Sequence, residues 1–388
     1  MRIVVAGGGL QGSEAAYLAG KAGWETTLID RRESAPASGL CDRFVRLDLL
    51  EDSQALEHLL QQADFVVPAL ENQEALHRLE QAARGVGAPL AHDAAAYAIT
   101  SSKQMSDALF AGRGIPAPRY WPDCSLPVIA KPSESSGSRG VRLLEQPVEI
   151  ERLLADEGIQ AEQWVIQEFL QGDSYSIEVL GCDGHYLPLQ VTDLEMDADY
   201  DCRGVTAPTK LPPVRVAEFQ ALAARIAGLI NLNGIMDVEV IDHGGVLKVL
   251  EIDARLPSQT PATVYNSTGV NMLTLLRDLF VHHQLPAGLP RTDPRTVIYE
   301  HILVAQGRLS FPGEHAIAAA GPLRLLPGFF GADEAITDYA PGAECWAATL
   351  IFQADRAAEA WGRRRETIGD ICRQNHLPPP TFALDEPS

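Results

Sequence analysis

One stretch decides the fold: Ile235 to Arg255, which reads Ile-Met-Asp-Val-Glu-Val-Ile-Asp-His-Gly-Gly-Val-Leu-Lys-Val-Leu-Glu-Ile-Asp-Ala-Arg. Two runs rich in β-branched and other apolar residues flank His243-Gly244-Gly245, a sequence typical of a tight turn. The pattern predicts two strands, 235–241 and 246–252, that pair as a hairpin.

Four carboxylates occupy this hairpin at matched spacings. Asp237 and Glu239 are two residues apart, so they share one face of a strand, and Glu251 and Asp253 repeat the spacing. Side by side, the four acids repel each other and raise one another's pKa unless a cation offsets them. Magnesium takes oxygen ligands and shares them with substrate phosphates, so a metal site is one interpretation, and a solvated acidic face is the other. Arg255 follows closely and suits a cation for developing phosphate charge.

A second strand–loop–strand unit precedes the hairpin. An apolar strand, 126–131, ends on Lys131, and a strand resumes at 141–144 after Pro-Ser-Glu-Ser-Ser-Gly-Ser-Arg-Gly. A strand on both sides predicts a hairpin with a flexible tip, unlike the strand–helix arrangement of a P-loop. Backbone N–H groups and hydroxyls beside a lysine favour phosphate binding. Lys103, at the start of a predicted helix, is a second candidate, although a lone lysine is usually solvated surface.

Two further strands follow this unit. The runs 164–170 and 175–181 are predicted to pair with each other around Gln171-Gly172-Asp173. A helix is predicted over 215–232.

The N-terminal region alternates strands and helices, which predicts a parallel sheet with crossover helices. The predicted elements are the strands 2–6, 25–30 and 65–69 and the helices 13–23 and 53–62. The run Gly7 to Gly12 fits G-x-G-x-x-G, and Asp30 ends the next strand, where an acid often meets a ribose. Alone, these features favour a dinucleotide oxidoreductase; a tight turn at the first crossover is the simpler interpretation.

Length, net charge and cysteine spacing argue against several classes of protein. A chain of 388 residues has room for two or three domains. Its net charge of −21 disfavours a nucleic-acid or acidic-membrane partner. The six cysteines form no C-x-x-C pair, which argues against a zinc site or dithiol chemistry. Neither a signal-peptide layout nor an apolar run of about 20 residues is present, so we expect a soluble, cytoplasmic protein.

Several of these features occur together in the order typical of one superfamily. Lys103, Lys131, the Ser/Gly loop, Gln167-Glu-Phe-Leu170 and the acidic hairpin with Arg255 resemble the ATP-grasp superfamily over most of the chain. The superfamily usually has asparagine at its last metal position, where this chain has Asp253.

A narrower resemblance is to the ATP-grasp ligases of pyrrolysine biosynthesis, which join 3-methyl-D-ornithine to lysine. The stretches that carry it are Gly7–Tyr17, Gly234–Glu239, Glu251–Pro261 and Tyr299-Glu-His301. In this subfamily an acid at the position of Asp253 is the norm.

The resemblance implies an α/β protein of three units. Residues 1–86 are expected to form a Rossmann-like pre-ATP-grasp domain. Residues 87–290 are expected to form the ATP-grasp core, with a mobile lid at about 118–182, and residues 291–388 an α+β portion that completes the site.

The resemblance also implies ATP and Mg²⁺ as cofactors. Arg255 and Lys131 are the expected catalytic residues, and Glu239, Glu251 and Asp253 the expected metal ligands. The residues expected to bind ATP are Lys103, Lys131, Ser135, Ser136, Gly137, Ser138, Glu168, Phe169 and Leu170.

Candidate residues for the ornithine-like substrate are Ser176, Glu178, Asp237, Ser258, Gln259 and Thr260. Glu178 and Asp237 are expected to hold ammonium groups, because a desolvated cation needs a partner. Gln11, Asp30 and Glu71 are candidates for a ligand at the N-terminal domain; the alternative is that they are ordinary residues of strand-end loops.

The activity implied is amide formation through an acyl-phosphate, with small amino-acid substrates and release of ADP and phosphate. The alternatives are a D-alanine–D-alanine-type or purine-biosynthesis-type ATP-grasp ligase, a nucleotide-binding module without catalysis, and a dinucleotide oxidoreductase. The run Pro257-Ser-Gln-Thr-Pro261 argues against a ligase of the D-alanine–D-alanine type or the purine-biosynthesis type. The set Lys131, Glu251 and Arg255 argues against a nucleotide-binding module without catalysis. An oligomer of identical chains is compatible with the sequence.

Overall fold

A computed structural model describes residues 1–51, 53–133, 138, 140–155, 164–286, 288–289 and 293–380. The described strands form one parallel sheet of four strands and two sheets with antiparallel pairing, one of three strands and one of ten.

The N-terminal sheet is parallel, as predicted, with the strand order β3-β2-β1-β4. Its elements are β1 (Arg2–Ala6), α1 (Leu10–Lys21), β2 (Glu25–Asp30), β3 (Arg43–Arg46), α2 (Ser53–Leu60), β4 (Phe65–Pro68) and α3 (Gln73–Val86). The first helix begins at Leu10, earlier than the predicted Ser13, so the second half of the glycine-rich run is already helical. Gly7 has a φ of +111°, and a Cβ there would lie 2.2 Å from the carbonyl oxygen of Ala69, so close packing explains this glycine.

A three-stranded antiparallel sheet, in the order β6-β5-β7, follows two connecting helices. The elements are α4 (Ala94–Thr100), α5 (Lys103–Arg113), β5 (Val128–Pro132), β6 (Arg142–Leu144), α6 (Pro147–Ala155) and β7 (Trp164–Glu168). Val128 is paired with Leu144, so the predicted hairpin around the Ser/Gly loop is confirmed.

The large sheet contains the rest of the strands. They are β8 (Ser174–Cys182), β9 (His185–Met196), β10 (Cys202–Ala207), β11 (Ile235–His243), β12 (Val246–Asp253), β13 (Thr296–Ala305), β14 (Arg308–Ser310), β15 (Arg324–Pro327), β16 (Glu334–Thr337) and β17 (Trp346–Ala354). Their order is β12-β11-β8-β9-β10-β13-β17-β16-β15, with β14 paired to β13. The sheet runs across position 290, because Gly204 of β10 pairs with Glu300 of β13. The domain boundaries given above remain a prediction.

One predicted pairing is wrong. The two strands around Gln171-Gly172-Asp173 both form, but β7 pairs with β5 and β8 pairs with β9 and β11. Gly172 has a φ of +153°, and a Cβ there would lie 2.0 Å from the carbonyl oxygen of Asp242. The chain therefore passes against the end of β11 and changes sheets, where the local pattern indicated a turn.

Helices cover the sheets and join the N-terminal unit to the rest. They are α7 (Pro213–Leu229), α8 (Thr260–Thr268), α9 (Met272–His282), α10 (His315–Ala318) and α11 (Ala357–Gln374). The first, α7, packs on β8 and β9, while α1 packs on α8 and α9. Leu18, Ala262 and Val297 belong to one buried apolar cluster, so the N-terminal sheet domain and the C-terminal half share a core. No helix in the described part of the chain combines the length and apolarity needed to cross a bilayer.

Candidate active site

The hairpin of β11 and β12 brings the four predicted carboxylates together in cross-strand pairs, Asp237 with Asp253 and Glu239 with Glu251. A bulge follows the second pair, because Val240 pairs with Val249 and leaves Leu250 unpaired.

This bulge decides where two of the acids point. Val249 and Ile252 are three residues apart, yet both pack in the core beneath the sheet. In a regular strand, Glu251 and Asp253 would share the face of Val249, since side chains alternate. The bulge therefore turns both acids to the opposite, cavity-lining face.

Two lysines lie beside the hairpin. Lys103 Nζ is 2.7 Å from Glu251 Oε1, and although burial acts to lower the pKa of Lys103, the Glu251 carboxylate outweighs it and raises that pKa. Lys131 is 6% exposed, and its ammonium makes no hydrogen bond or ion pair with the part of the chain that the structure describes. Burial lowers the pKa of Lys131 despite the nearby carboxylates. A buried ammonium without a partner favours the binding of an anionic ligand.

Arg255 joins three regions of the chain. Its guanidinium lies 3.1 Å from Glu71 Oε1, 3.1 Å from Asp237 Oδ1 and 3.0 Å from Asp253 Oδ2. Burial acts against the charged form of Arg255, but these carboxylates hold its pKa above the ordinary range. Because the fork is rigid, it fixes the position of all three carboxylates relative to one another.

A cavity of about 440 Å³ lies between the small sheet and the large sheet; we call it the inter-sheet cavity. Its wall contains Lys103, Lys131, Ser138, Glu168, Phe169, Leu170, Tyr200, Glu239 and Glu251, among others. These include every described residue that the sequence predicted to bind ATP. Ser135, Ser136 and Gly137 lie outside the described residues.

Two contacts fix the wall of this cavity. Glu168 accepts hydrogen bonds from Lys248 Nζ at 2.7 Å and from the backbone N–H of Arg119 at 3.2 Å. Burial acts to raise the pKa of Glu168, but these donors hold it below its ordinary value. Ser138 Oγ donates to the carbonyl of Tyr200 at 2.6 Å, which ties the loop after β5 to the turn between β9 and β10.

A second cavity, of about 100 Å³, adjoins the first; we call it the acidic cavity. Six carboxylates and one arginine line it, namely Asp201, Asp237, Glu239, Glu251, Asp253, Glu314 and Arg255. Glu239 and Glu251 line both cavities. A group bound in one cavity therefore meets a group bound in the other at these two side chains.

Most of the residues predicted to bind the amino-acid substrate line the acidic cavity, and one does not. Ser176, Asp237, Ser258, Gln259 and Thr260 line the acidic cavity.

Glu178 is paired in register with Asp237 but is fully buried and is not among the lining residues. Among the described residues, neither oxygen of Glu178 accepts a hydrogen bond of ordinary geometry, and Gln259 Oε1 and Thr260 Oγ1 are also without a partner. Burial raises the pKa of Glu178 to about 7, although the nearby Thr260 hydroxyl acts to lower it. Orphaned buried acceptors next to a cavity favour a ligand that donates hydrogen bonds.

Glu314 is a site residue that sequence reasoning missed. Its Oε2 accepts from Ser258 Oγ and from Gln259 Nε2, each at 2.8 Å. It lies in the loop after β14, directly after Pro312-Gly313, where the local pattern indicates only a turn. No signal in a single sequence connects it with residues more than fifty positions earlier.

The backbone at Gln259 is strained. Its φ is +68° and its ψ −53°, and the N–H of Thr260 donates to the carbonyl of Ser258 at 2.8 Å, which closes a γ-turn. Such conformations are rare outside glycine and concentrate at functional sites.

The three N-terminal candidates separate. Gln11 Nε2 donates to Glu71 Oε1 at 2.7 Å, and Glu71 binds Arg255, so these two side chains belong to the cluster at the acidic hairpin. Asp30 accepts from the N–H groups of Gly8 and Arg32, each at 2.7 Å, and so holds the glycine turn. Asp30 and Glu71 also line a separate cavity at the carboxyl ends of the parallel strands.

Two of the three predicted metal ligands are paired with cations. Glu251 is bound to Lys103 and Asp253 to Arg255. Within the described ranges, no group of three or more His, Cys, Asp or Glu side chains is arranged as a ready metal site.

Comparison with known proteins agrees with this arrangement. The family model of the ATP-grasp domain matches residues 100–259. The 3-methyl-D-ornithine–L-lysine ligase of Methanosarcina mazei is 33% identical, and the match covers 94% of this chain and 91% of that protein. The enzyme of the same name from Methanosarcina barkeri is 31% identical, with 95% and 94% covered.

Among solved structures, the biotin carboxylase of Campylobacter jejuni superimposes with a TM-score of 0.73 at 15% identity, covering 95% of this chain and 91% of that one. A structure at that identity shows the fold alone, which is the ATP-grasp fold. The sequence relationship to the Methanosarcina ligases is much closer and spans nearly the whole chain. This chain belongs to the 3-methyl-D-ornithine–L-lysine ligase family of the ATP-grasp superfamily.

Proposed function

We propose that the protein joins the carboxylate of 3-methyl-D-ornithine to the ε-amine of L-lysine, at the expense of ATP, through an acyl-phosphate. The observation that carries this proposal is the junction of two cavities at Glu239 and Glu251. A ligase of this kind must bring a nucleotide phosphate and an amino-acid carboxylate together at one point, and the junction supplies it.

The inter-sheet cavity suits the nucleotide. Lys131 lies on the wall with its ammonium unpaired among the described residues, and Lys103 is 2.7 Å from Glu251. Both lysines are positioned to hold phosphate oxygens. Phe169 and Leu170 offer an apolar wall at the other end for a purine.

The acidic hairpin suits magnesium by the chemistry of its donors. Glu239, Glu251 and Asp253 supply only oxygen atoms, which Mg²⁺ prefers. Burial and the neighbouring carboxylates raise the pKa of Glu239 to about 8 although Arg255 acts to lower it, so added positive charge would favour the ionised form of this acid. We propose these three residues as the ligands; when bound, the metal would neutralise charge on the phosphates. Lys103 and Arg255 would then turn from the carboxylates to the substrates.

The acidic cavity suits an amino acid with two ammonium groups. Its charge is strongly negative, and Asp237, Gln259 and Thr260 line it. Asp237 is positioned to accept a hydrogen bond from one ammonium group, and we propose Glu178, paired in register with it on the neighbouring strand, as the acceptor for the other. Arg255, on the same wall, is positioned to bind the substrate carboxylate and to stabilise charge as that carboxylate attacks the γ-phosphate.

The fate of one oxygen atom tests the proposal. A carboxylate that attacks the γ-phosphate leaves one of its oxygens on that phosphate when the amine displaces it. Substrate labelled with ¹⁸O in its carboxylate should therefore deliver label into inorganic phosphate during amide formation. Label in AMP, or pyrophosphate as the product, would contradict an acyl-phosphate. Absence of any product from 3-methyl-D-ornithine, lysine and ATP would contradict the substrate pair.

A further inference from the structure

Amide formation from lysine requires a proton acceptor, because the ε-amine is protonated at neutral pH and an ammonium cannot attack. The inference that follows rests on the ligase reaction proposed above. We propose that Glu314 is the general base that removes the proton from the attacking amine.

The carboxylate of Glu314 is oriented by two donors on one oxygen. Ser258 Oγ and Gln259 Nε2 both donate to Oε2, each at 2.8 Å. Oε1 makes no hydrogen bond with the described part of the chain, and Glu314 lines the acidic cavity. One oxygen is thus anchored and the other is left to accept a proton from a bound group.

The backbone on both sides of Glu314 is held by the turn between β9 and β10. The N–H of Gly313 donates to Asp197 Oδ2 at 2.9 Å, and the N–H of His315 donates to Asp201 Oδ2 at 3.0 Å. Both aspartates belong to the turn between β9 and β10, whose Tyr200 carbonyl also accepts the Ser138 hydroxyl. Glu314 therefore projects from a loop with a fixed position, as a base must.

The other carboxylates lining the cavity are already engaged. Asp237 and Asp253 bind Arg255, and Glu251 binds Lys103. Asp201 accepts from the backbone and ring of His315. Glu239 is a proposed metal ligand. Within the described residues, Glu314 makes no ion pair with Arg255 or Lys103, and its Oε1 makes no hydrogen bond.

The surroundings of Glu314 raise its pKa, which makes its carboxylate a stronger base. Burial raises its pKa, the donors on Oε2 lower it, Asp201 raises it and Arg255 lowers it. Glu14, Cys202, Glu239 and Tyr299 also interact with Glu314 electrostatically. A carboxylate with a raised pKa is a stronger base toward an amine.

The proposed step balances as follows. Glu314 Oε1 takes one proton from the ε-ammonium, and the neutral nitrogen forms the N–C bond to the acyl carbon. The C–O bond to phosphate breaks, and the phosphate leaves with the electron pair. The nitrogen loses a second proton, which the departing phosphate takes to become hydrogen phosphate. Glu314 returns its proton to solvent.

Hydroxylamine separates this role from a structural one. It is largely uncharged at neutral pH, so it attacks an acyl-phosphate without a base and yields a hydroxamate. The Glu314→Gln variant keeps a carbonyl oxygen for Ser258 and Gln259 but puts an amide nitrogen, which accepts no proton, in place of Oε1. Ligation of lysine should fall by about 10²- to 10⁴-fold, while ATP-dependent hydroxamate formation should change little.

The matched control is Glu344→Gln, the same substitution at an exposed position of the C-terminal portion, which should leave both reactions unchanged. Equal loss of lysine and hydroxylamine reactions in Glu314→Gln, or no loss with lysine, would overturn the proposal. If that variant does not fold, Glu314→Ala is assayed with added formate: restored ligation supports a base, and absence of rescue overturns it. A wild-type protein that forms no hydroxamate would instead overturn the ligase reaction itself.

Discussion

The inter-sheet cavity and the acidic cavity share Glu239 and Glu251 but differ in the charge that each leaves unpaired. The first has the buried ammonium of Lys131 without a partner among the described residues. The second has six carboxylates against a single arginine, with the orphaned Glu178 behind its wall. A buried charge without a partner costs free energy.

The difference shows how one site keeps two substrates apart. An anion is favoured in the first cavity and a cation in the second, so a nucleotide and a diamino acid are each disfavoured in the wrong place. The shared glutamates are where the two charge systems meet, and the chemistry is proposed at that boundary. The following substitutions test this difference between the two cavities, in order from the largest expected effect to the smallest.

Glu251→Gln breaks both cavities at once and should have the largest effect. The side chain is 2.7 Å from Lys103 and is a proposed metal ligand, so its loss should misplace the phosphates. We expect turnover to fall by at least about 10²- to 10³-fold, with an unchanged circular dichroism spectrum. Near-normal turnover at ordinary magnesium concentration would remove Glu251 from the mechanism.

Arg255→Lys weakens the acidic cavity and leaves the phosphate lysines in place. A lysine keeps the charge but cannot contact Glu71, Asp237 and Asp253 together in one rigid fork. We expect kcat to fall by about 10²-fold, with KM for ATP nearly unchanged, as measured by steady-state kinetics. A change confined to KM for ATP would place Arg255 with the nucleotide.

Glu178→Gln affects the amino-acid side alone. We expect KM for the amino acid to rise by about 10-fold, as for one lost hydrogen bond to a charged group, with KM for ATP unchanged.

The same variant has a second readout in stability. Burial raises the pKa of Glu178 from 4.5 to about 7, so the folded protein binds a proton that the unfolded chain releases between these values. In the wild type this lowers the free energy of unfolding as pH rises through that window, by up to about 3 kcal/mol. Urea unfolding at about pH 5 and about pH 8 should show the variant gaining relative to wild type at the higher pH. An equal difference at both pH values would contradict the assigned pKa.

Asp30→Ala lies outside both cavities and should have the smallest effect. The carboxylate holds the N–H groups of Gly8 and Arg32, so its loss should cost about 1 to 3 kcal/mol of unfolding free energy. Because these bonds explain the residue without a ligand, kcat and both KM values should be unchanged. A selective rise in KM for lysine would show that the N-terminal cavity binds that substrate.

Local sequence pattern predicted much of the spatial arrangement of the candidate site residues. The alternation of apolar and acidic residues and the Gly-Gly turn predicted the hairpin that pairs Asp237 with Asp253 and Glu239 with Glu251. This was possible because the paired residues lie close to the same turn in the sequence. The Ser/Gly loop after Lys131 was likewise predicted between two paired strands.

Pairing between distant segments was not predictable in the same way. The strands on either side of Gly172 form as expected, but each finds its partner in a different sheet. A tertiary contact with the carbonyl of Asp242 imposes that change, and nothing in the local composition distinguishes it from a turn.

The amino-acid sequence by itself determined the class of chemistry: lysines before a Ser/Gly loop, and alternating acids ending in Arg255, occur in that order along the chain. These signals are local, since side-chain periodicity and turn residues act within a few positions. Only the tertiary structure decided that Glu71, 184 positions away, binds Arg255 and that Glu314 orients its carboxylate on Ser258 and Gln259. Contacts of that range depend on which sheets and helices share a core, and the burial of apolar surface that selects them is not directional.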